Sequence, residues 1–175
     1  MTTRRLSRKP AAAACVGLMF CTAAILAGLA AIVSAPFLAG ARAATTERVV
    51  TDRHTGLAIY GIDPVAYFTD KRPVVGRAEF EFRFAGVIWR FDNAGNRAAF
   101  VADPKVYMPR FGGYDPVGIA RGVPTAGYPQ MWAIVKDRLY LFYTAEARTA
   151  FLADPIAAIA AAEARWAQVL QDLAE

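Results

Sequence analysis

The alternation of apolar and polar positions predicts a β-hairpin followed by a helix. From Ala78 to Phe84, phenylalanines alternate with charged residues, which is typical of a half-buried strand. A glycine turn then leads into a second apolar run from Val87 to Phe91, so the two strands should pair as a hairpin. Asp92 or Asn93 should cap a helix that runs to about Ala102, since short polar side chains satisfy the free amides at a helix start.

The same order of elements is predicted again in the second half of the chain. Strands from Met131 to Lys136 and from Leu139 to Tyr143 flank a polar turn. Thr144 should then cap a helix that runs to about Ala153. The hairpin followed by a helix is therefore a unit that the chain uses twice.

Two stretches of sequence recur along the chain and support this interpretation. The run Gly61–Val65 returns as Gly113–Val117, shifted by 52 positions, and Ala94–Pro104 returns as Ala145–Pro155, shifted by 51. We expect two pseudo-equivalent units, at about 61–104 and about 113–155, packed together. Phe100 and Phe151 should be their matched core anchors.

The remaining segments complete an expected α+β fold. A short strand is predicted at Arg48 to Val50, within an N-terminal segment of residues 44–56. Pro109 to Gln130, rich in Gly, Pro and Tyr, should be a long loop between the two units, partly helical after Asp115, and loops of such length are often functional. Ile156 to Leu173 has the period of an amphipathic helix of about five turns. We expect this C-terminal helix, about 156–174, to lie across both hairpins.

Four Asp-Pro pairs punctuate the chain, at Asp63, Asp103, Asp115 and Asp154. Each pair suits a helix start, because the carboxylate accepts hydrogen bonds from free amides and proline has the φ of the first helical position. Helix capping is therefore the structural alternative to any functional role for these aspartates.

Residues 1–43 have the composition of an export signal. A basic start that includes Arg4 and Arg5 precedes a long uncharged, Ala-rich stretch, and Ala41-Arg42-Ala43 offers small residues for cleavage. The arginine pair leaves both the general and the twin-arginine export routes open. The apolar run is longer than most signal cores, so an uncleaved anchor is the alternative to cleavage. The expected location is periplasmic or secreted, or else anchored in the inner membrane with the domain in the periplasm.

Removal of this leader changes the charge and the cysteine content. The leader holds five basic residues and no acidic ones, which leaves 15 of each in the remaining 132 residues. A nearly neutral domain lacks the basic face that nucleic-acid binding requires. Cys15 and Cys21 both lie in the leader, so the mature chain has no disulfide and no thiolate. Thiolate-bound zinc, copper or iron–sulfur is not expected, and the cofactor is unknown.

Four motifs of the chain are similar to those of a known family: Gly61–Phe68, Gly86–Phe91, Asn96–Phe100 and Ala102–Tyr107. Together they resemble the YHS domain, a family that includes exported bacterial proteins with one such domain. The resemblance covers about residues 57–175. It implies a fold related to small treble-clef-like modules, in which a hairpin and a helix hold a metal.

The same resemblance implies metal ligands that this chain lacks. Metal-binding members would carry cysteines at the places of Ala66, Asp92 and Asn96, and exported members often carry one at the place of Asp115. Because soft-metal sites of this kind need thiolates, the fold expectation can be transferred and the metal expectation cannot.

Seven residues are candidates for a binding site near the loop between the units. They are His54, Asp63, Tyr67, Asp92, Tyr114, Asp115 and Arg121. The carboxylates could surround a hard cation, although each is also a natural helix cap. Tyr67 and Tyr114, with Tyr60, Tyr107, Tyr128 and Trp132, could line a pocket for a small organic ligand or simply fill a core. His54, the only histidine, is either a ligand or an exposed turn residue.

The sequence therefore favours a non-enzymatic binding protein of the YHS type, which holds a small ligand or a hard cation. A structural or partner-docking module of the cell envelope is the alternative, and an enzyme is the third possibility. The expected partners are a small molecule or an envelope protein, with membrane contact only through an uncleaved leader. No nucleophile elbow, phosphate loop or dinucleotide motif is present in the sequence.

Overall fold

The computed structural model describes residues 48–174, which form a mixed α+β domain with two separate antiparallel hairpins. The strands are β1 (Arg77–Phe84), β2 (Val87–Phe91), β3 (Tyr128–Val135) and β4 (Arg138–Phe142). The helices are α1 (Ala66–Thr69), α2 (Ala94–Ala102), α3 (Pro104–Tyr107), α4 (Pro116–Ala120), α5 (Ala145–Ala153) and α6 (Pro155–Asp172). The predicted leader lies outside the described residues. None of the helices within 48–174 is both long and apolar enough to cross a membrane.

The two hairpins share an irregularity in their strand pairing. In the first hairpin, Arg77 pairs with Phe91, and the register then shifts before Glu81. In the second, Tyr128 pairs with Phe142, and the register shifts before Trp132. Extra residues on one strand of a pair bend that strand and increase its twist. Each first strand is therefore bent at its start, where it joins the turns that carry the candidate site residues.

A glycine allows close backbone approach at the start of each bent strand. A Cβ atom at Gly76 would lie 2.5 Å from the carbonyl carbon of Arg90, and one at Gly127 would lie 2.6 Å from the Cβ atom of Leu141. No side chain fits at such distances without backbone movement. Each first strand can thus cross its partner closely only because these positions lack a side chain.

Helix caps confirm most of the predicted boundaries. The Asn93 side chain accepts a hydrogen bond from the Asn96 amide at 2.9 Å, so Asn93, and not Asp92, caps α2. Thr144 caps α5 as predicted, with the Ala147 amide at 3.2 Å. The second hairpin begins and ends earlier in the chain than the sequence pattern predicts. Its first strand begins at Tyr128 and its second strand ends at Phe142. The turn between them already starts at Lys136, which has φ +50°.

The predicted strand at Arg48 to Val50 is wrong, but Val50 joins the two halves of the domain. Its amide donates to the carbonyl of Gly112 at 2.8 Å, and its carbonyl accepts from the amide of Ile59 at 2.8 Å. Gly112 lies in a short 3₁₀ turn at Arg110–Gly113, and Ile59 lies in another at Ile59–Gly61. The N-terminal segment therefore bridges the turns and does not extend a sheet.

The interior consists of two hydrophobic clusters. The first surrounds Trp89 and Phe100, and the second surrounds Phe142 and Phe151, so the two predicted anchors are both buried. Helix α6 was expected to lie across both hairpins, and this is wrong. Its buried side chains belong to the second cluster only, and it packs mainly along α4.

Substitution of the two close-approach glycines tests this packing. Gly76→Ala and Gly127→Ala are each expected to lower the free energy of unfolding by at least about 2 kcal/mol, because the new methyl group overlaps the partner strand. Gly86→Ala is the control, since nothing lies within 4 Å of its Cβ position and only its φ of +84° is unfavourable, at about 1 kcal/mol. Urea denaturation of the three variants would contradict this packing if Gly86→Ala were the most damaging.

Candidate functional site

Asp63 is completely buried, and its carboxylate joins three segments of the chain. Oδ1 accepts hydrogen bonds from the amides of Val65 at 2.8 Å and Ala66 at 3.3 Å. Oδ2 accepts from the amide of Asp92 at 2.9 Å and from Nδ2 of Asn96 at 2.7 Å. The carboxylate thus connects the start of α1 to the end of β2 and to α2.

These four donors occupy the acceptor capacity of Asp63. An ionised carboxylate offers about four lone-pair positions on two oxygens. Its burial is tolerated because charge-assisted hydrogen bonds replace the lost water. Asp63 consequently organises the first half of the domain, and its oxygens are not available to a ligand.

Asp115 has a similar role in the second half, with fewer donors. It is 3% exposed, and it accepts from the Val117 amide at 2.8 Å and from the Tyr143 amide at 3.0 Å. The residue at the place of Asn96 in this half is Ala147, which has no side-chain donor. Asp115 therefore joins the start of α4 to the end of β4 without the side-chain contact that Asp63 makes.

The other two Asp-Pro pairs begin helices on the surface. Asp154 caps α6 and accepts from the Ala157 amide at 3.1 Å. Asp103 precedes α3, but its side chain makes no capping hydrogen bond. The capping interpretation therefore holds for the side chain of Asp154 and only for the position of Asp103.

The three positions at which the YHS resemblance expects cysteines all contact the Asp63 carboxylate. These are Ala66 and Asp92, through their amides, and Asn96, through its side chain. The carboxylate of Asp63 thus lies between the positions from which metal ligands would be expected. Hydrogen bonds to this one buried carboxylate connect the three segments that carry these positions.

The side chains of Tyr67 and Asp92 both have partners that are distant in the sequence. The hydroxyl of the fully buried Tyr67 donates to the Pro129 carbonyl at 2.9 Å, and its ring lies edge-on to Trp132 at 5.3 Å. Burial, with a smaller contribution from the charge of Asp63, raises the pKa of Tyr67 well above its usual range. The Asp92 carboxylate forms an ion pair with Arg77 at 3.2 Å.

His54 lies in an exposed turn that Asp52 organises. Oδ1 of Asp52 accepts from the amide of Thr55 at 2.8 Å, from its hydroxyl at 3.0 Å and from the amide of His54 at 2.9 Å. These hydrogen bonds, above all the one from the Thr55 amide, lower the pKa of Asp52. The turn presents His54 at the surface next to the first 3₁₀ turn.

One cavity brings two of the seven candidates together. It has a volume of about 530 Å³, and its walls come from the His54 turn, from Tyr60, and from Tyr114 and Ala126 of the second half. Of the candidates, His54 and Tyr114 line it, whereas Asp63, Tyr67, Asp92, Asp115 and Arg121 do not. Arg121 is exposed just after α4.

The structure adds one residue to this site that the sequence did not single out, and Tyr60, which the sequence did single out, also lines the cavity. Asp52 lines the cavity, and the signal that could have identified it is the Asp52–Gly56 turn pattern. Tyr60 has a left-handed backbone with φ +60° and is 39% exposed. Its ring stacks on Tyr128 at 6.4 Å, and Tyr128 contacts Tyr143 at 5.8 Å.

A metal centre finds little support in these positions. Within residues 48–174, no group of three or more His, Cys, Asp or Glu side chains is arranged to hold a metal ion. The two aspartates expected to approach a shared cation, Asp63 and Asp115, instead bind backbone amides in separate halves. The site within the described residues is therefore a cavity with aromatic and polar walls.

Comparisons with known proteins found no matching family, no similar curated protein and no similar solved structure.

Three aspartate side chains form a graded series within the described residues, because those of Asp63, Asp115 and Asp103 accept four, two and no hydrogen bonds. Asp63→Asn is expected to lower the free energy of unfolding by about 3 kcal/mol, because an amide cannot accept from all four buried donors. Asp115→Asn should cost about 1.5 kcal/mol, and Asp103→Asn less than about 0.5 kcal/mol. Chemical denaturation of the three variants measures the order, and equal losses at all three positions would contradict these roles.

Because Tyr67 is buried, we expect the folded domain to lose stability against unfolding at high pH. Its pKa is raised by burial, so the unfolded chain releases this proton above about pH 10 while the folded chain keeps it. The contribution of Tyr67 to the free energy of unfolding is therefore complete below about pH 10 and is lost as the pH rises. Tyr67→Phe should make the stability less steep above pH 10 and cost about 1 kcal/mol at neutral pH. The control Tyr143→Phe removes an exposed hydroxyl and should not change the slope.

Proposed function

We propose that this protein is an exported accessory protein of the YHS type that binds a small organic ligand without chemically changing it. Its location on this proposal is periplasmic or secreted. The observation that carries the proposal is the cavity of about 530 Å³ beside His54, Tyr60 and Tyr114. A cavity of this size is within the range that small-molecule sites occupy.

We further propose that the domain arose by duplication of a hairpin–helix unit. Matched hydrogen bonds in the two halves support this. The amide of Gly76 donates to the Gly61 carbonyl, as the amide of Gly127 donates to that of Gly113. The amide of Asp63 donates to the Val74 carbonyl, as the amide of Asp115 donates to that of Thr125. Nε of Arg97 donates to the Glu81 carbonyl, as Nε of Arg148 donates to that of Trp132. Main-chain and side-chain partners thus recur together at an offset of 51 or 52 residues.

The YHS and treble-clef-like character of each unit is a proposal that rests on two observations. Each unit has a two-stranded hairpin followed directly by a capped helix. In the first unit, the three positions expected to supply metal ligands converge on one buried carboxylate. A unit that lost its metal would need such a replacement to keep its turn, strand end and helix together.

The walls of the cavity suit a ligand with both a flat apolar face and polar groups. Tyr60 and Tyr114 supply aromatic surface, and the His54 turn supplies an imidazole, a carboxylate at Asp52 and a cation at Arg53. Aromatic walls with few polar groups provide contact area together with orientation. A small ring compound with hydrogen-bonding substituents fits this combination.

A hard cation fits the same region less well. Calcium takes six to eight oxygen ligands, and magnesium prefers an octahedral set. Asp52 is the only carboxylate among the described residues that line the cavity, and one of its oxygens already accepts three hydrogen bonds. An organic ligand is therefore the better occupant.

Partner docking is the second candidate, and an exposed row of tyrosines favours it. Tyr60, Tyr128 and Tyr143 contact one another and are 39%, 53% and 50% exposed. Tyrosines are enriched where proteins meet, because they combine apolar area with a polar tip. A catalytic role would call for His54 beside a buried carboxylate, whereas His54 lies in an exposed turn with its amide on Asp52.

Binding can be tested by a thermal-shift screen of small polar ring compounds and divalent cations against the exported protein. A ligand that raises the melting temperature should bind about tenfold more weakly to His54→Gln, while the melting temperature of the free variant stays unchanged. Arg121→Gln is the matched control, because Arg121 is exposed and does not line the cavity. Native mass spectrometry of protein from its own envelope should reveal the same class of ligand.

Three results would contradict this proposal. Stabilisation by a divalent cation alone would favour the cation site. Equal losses of affinity in His54→Gln and Arg121→Gln would place the ligand elsewhere. No ligand, combined with loss of a specific envelope partner in Tyr128→Ala, would favour docking.

A further inference from the structure

A second cavity lies where the two hydrophobic clusters meet, and it differs in chemistry from the first. Its volume is about 400 Å³. Val49, from the first cluster, and Phe111, from the second, form its floor and are 2% and 4% exposed. Met108, Trp166 and Leu170 extend this apolar surface. The cavity thus reaches the interior at the junction of the two halves.

The rim of this cavity is basic. Arg48, Lys105, Arg110 and Arg138 line it, and none of the described lining residues is acidic. Arg110 is paired with Glu163 at 2.6 Å and lies over the Phe111 ring, so its charge is largely compensated. The other three cations have no carboxylate within ion-pair distance among residues 48–174.

The position of Arg138 is fixed by the chain itself. Its Nη1 donates to the main-chain carbonyl of Lys105, which lies in α3 of the other half. Arg138 also lines a neighbouring depression, together with Lys136 and the Arg110–Glu163 ion pair. The cavity therefore combines basic side chains with an apolar interior.

We propose that this cavity binds a soluble amphiphilic anion, namely a monocarboxylate with a single alkyl chain. Burial of methylene groups in an apolar site is favourable and increases with the apolar area removed from water, so the floor favours a hydrocarbon chain. A carboxylate at the opening would meet the unpaired cations at Arg138, Lys105 and Arg48. The cavity is separate from the His54 cavity, and the two share no lining residue.

The charge pattern argues for this occupant over its neutral and cationic analogues. A neutral chain would leave the rim cations without partners, and a cationic amphiphile would be repelled by them. An isolated cavity also suits one chain better than a lipid with two. The same chain with an uncharged head is therefore the most informative comparison.

Decanoate is the probe, titrated below its micelle concentration into the exported protein purified without detergent. Calorimetry should show saturable binding with one site, and the fluorescence of Trp166 should change because its ring lines the cavity. Lys105→Gln and Arg138→Gln should each weaken binding about tenfold, as expected for loss of a hydrogen bond to a charged group. Decanol should bind at least about tenfold more weakly than decanoate.

The matched control is Arg165→Gln, which removes an equal charge from an exposed position of α6 that does not line the cavity. Its affinity for decanoate should equal that of the unaltered protein. Lys105→Gln alters an exposed side chain, so it tests the rim even if Arg138→Gln does not fold. Equal affinity for decanol and decanoate, equal losses in all three variants, or binding to anionic vesicles without binding to decanoate would each overturn the proposal.

Discussion

The domain depends on the buried carboxylate of Asp63 and its hydrogen bonds to the start of α1, the end of β2 and helix α2. A charged group without water is tolerated only when its hydrogen bonds are satisfied, so these segments must stay together for the domain to remain folded. Asp115 joins fewer segments in the second half. The residues that the sequence offers as the best cation ligands are therefore used to hold the domain together.

Because the carboxylates of Asp63 and Asp115 are engaged in hydrogen bonds within the domain, the cavities are better candidates for a binding site than these aspartates. Tyr60 lies in a left-handed turn and is exposed, whereas Phe111, in the other left-handed turn, is buried. The N-terminal segment connects both turns through Val50, and the two cavities share no lining residue. One cavity combines tyrosines with the His54 turn, and the other combines an apolar floor with a basic rim. The two cavities therefore differ in the chemistry of their walls.

The sequence predicts the local elements well, because hairpins, caps and helix periods depend on neighbouring residues. The Thr144 cap and the helix end at Ala102 follow from such patterns. The sequence cannot predict which groups meet across the fold. Asp92 is an example, because its amide donates to Asp63 while its side chain pairs with Arg77. The basic rim was not predicted either, since Arg48, Lys105 and Arg138 come from separate segments that only the tertiary structure brings together.

Amide hydrogen exchange at Asp92 and Tyr143 tests the central claim most directly. Both amides lie just beyond strand ends, where exchange is usually fast, yet each donates to a buried aspartate. The account predicts that they exchange only on global unfolding, like the core strands, and that the Asp92 amide loses this protection in Asp63→Asn. Exchange of both amides at the rate of exposed turns in the unaltered protein would contradict it.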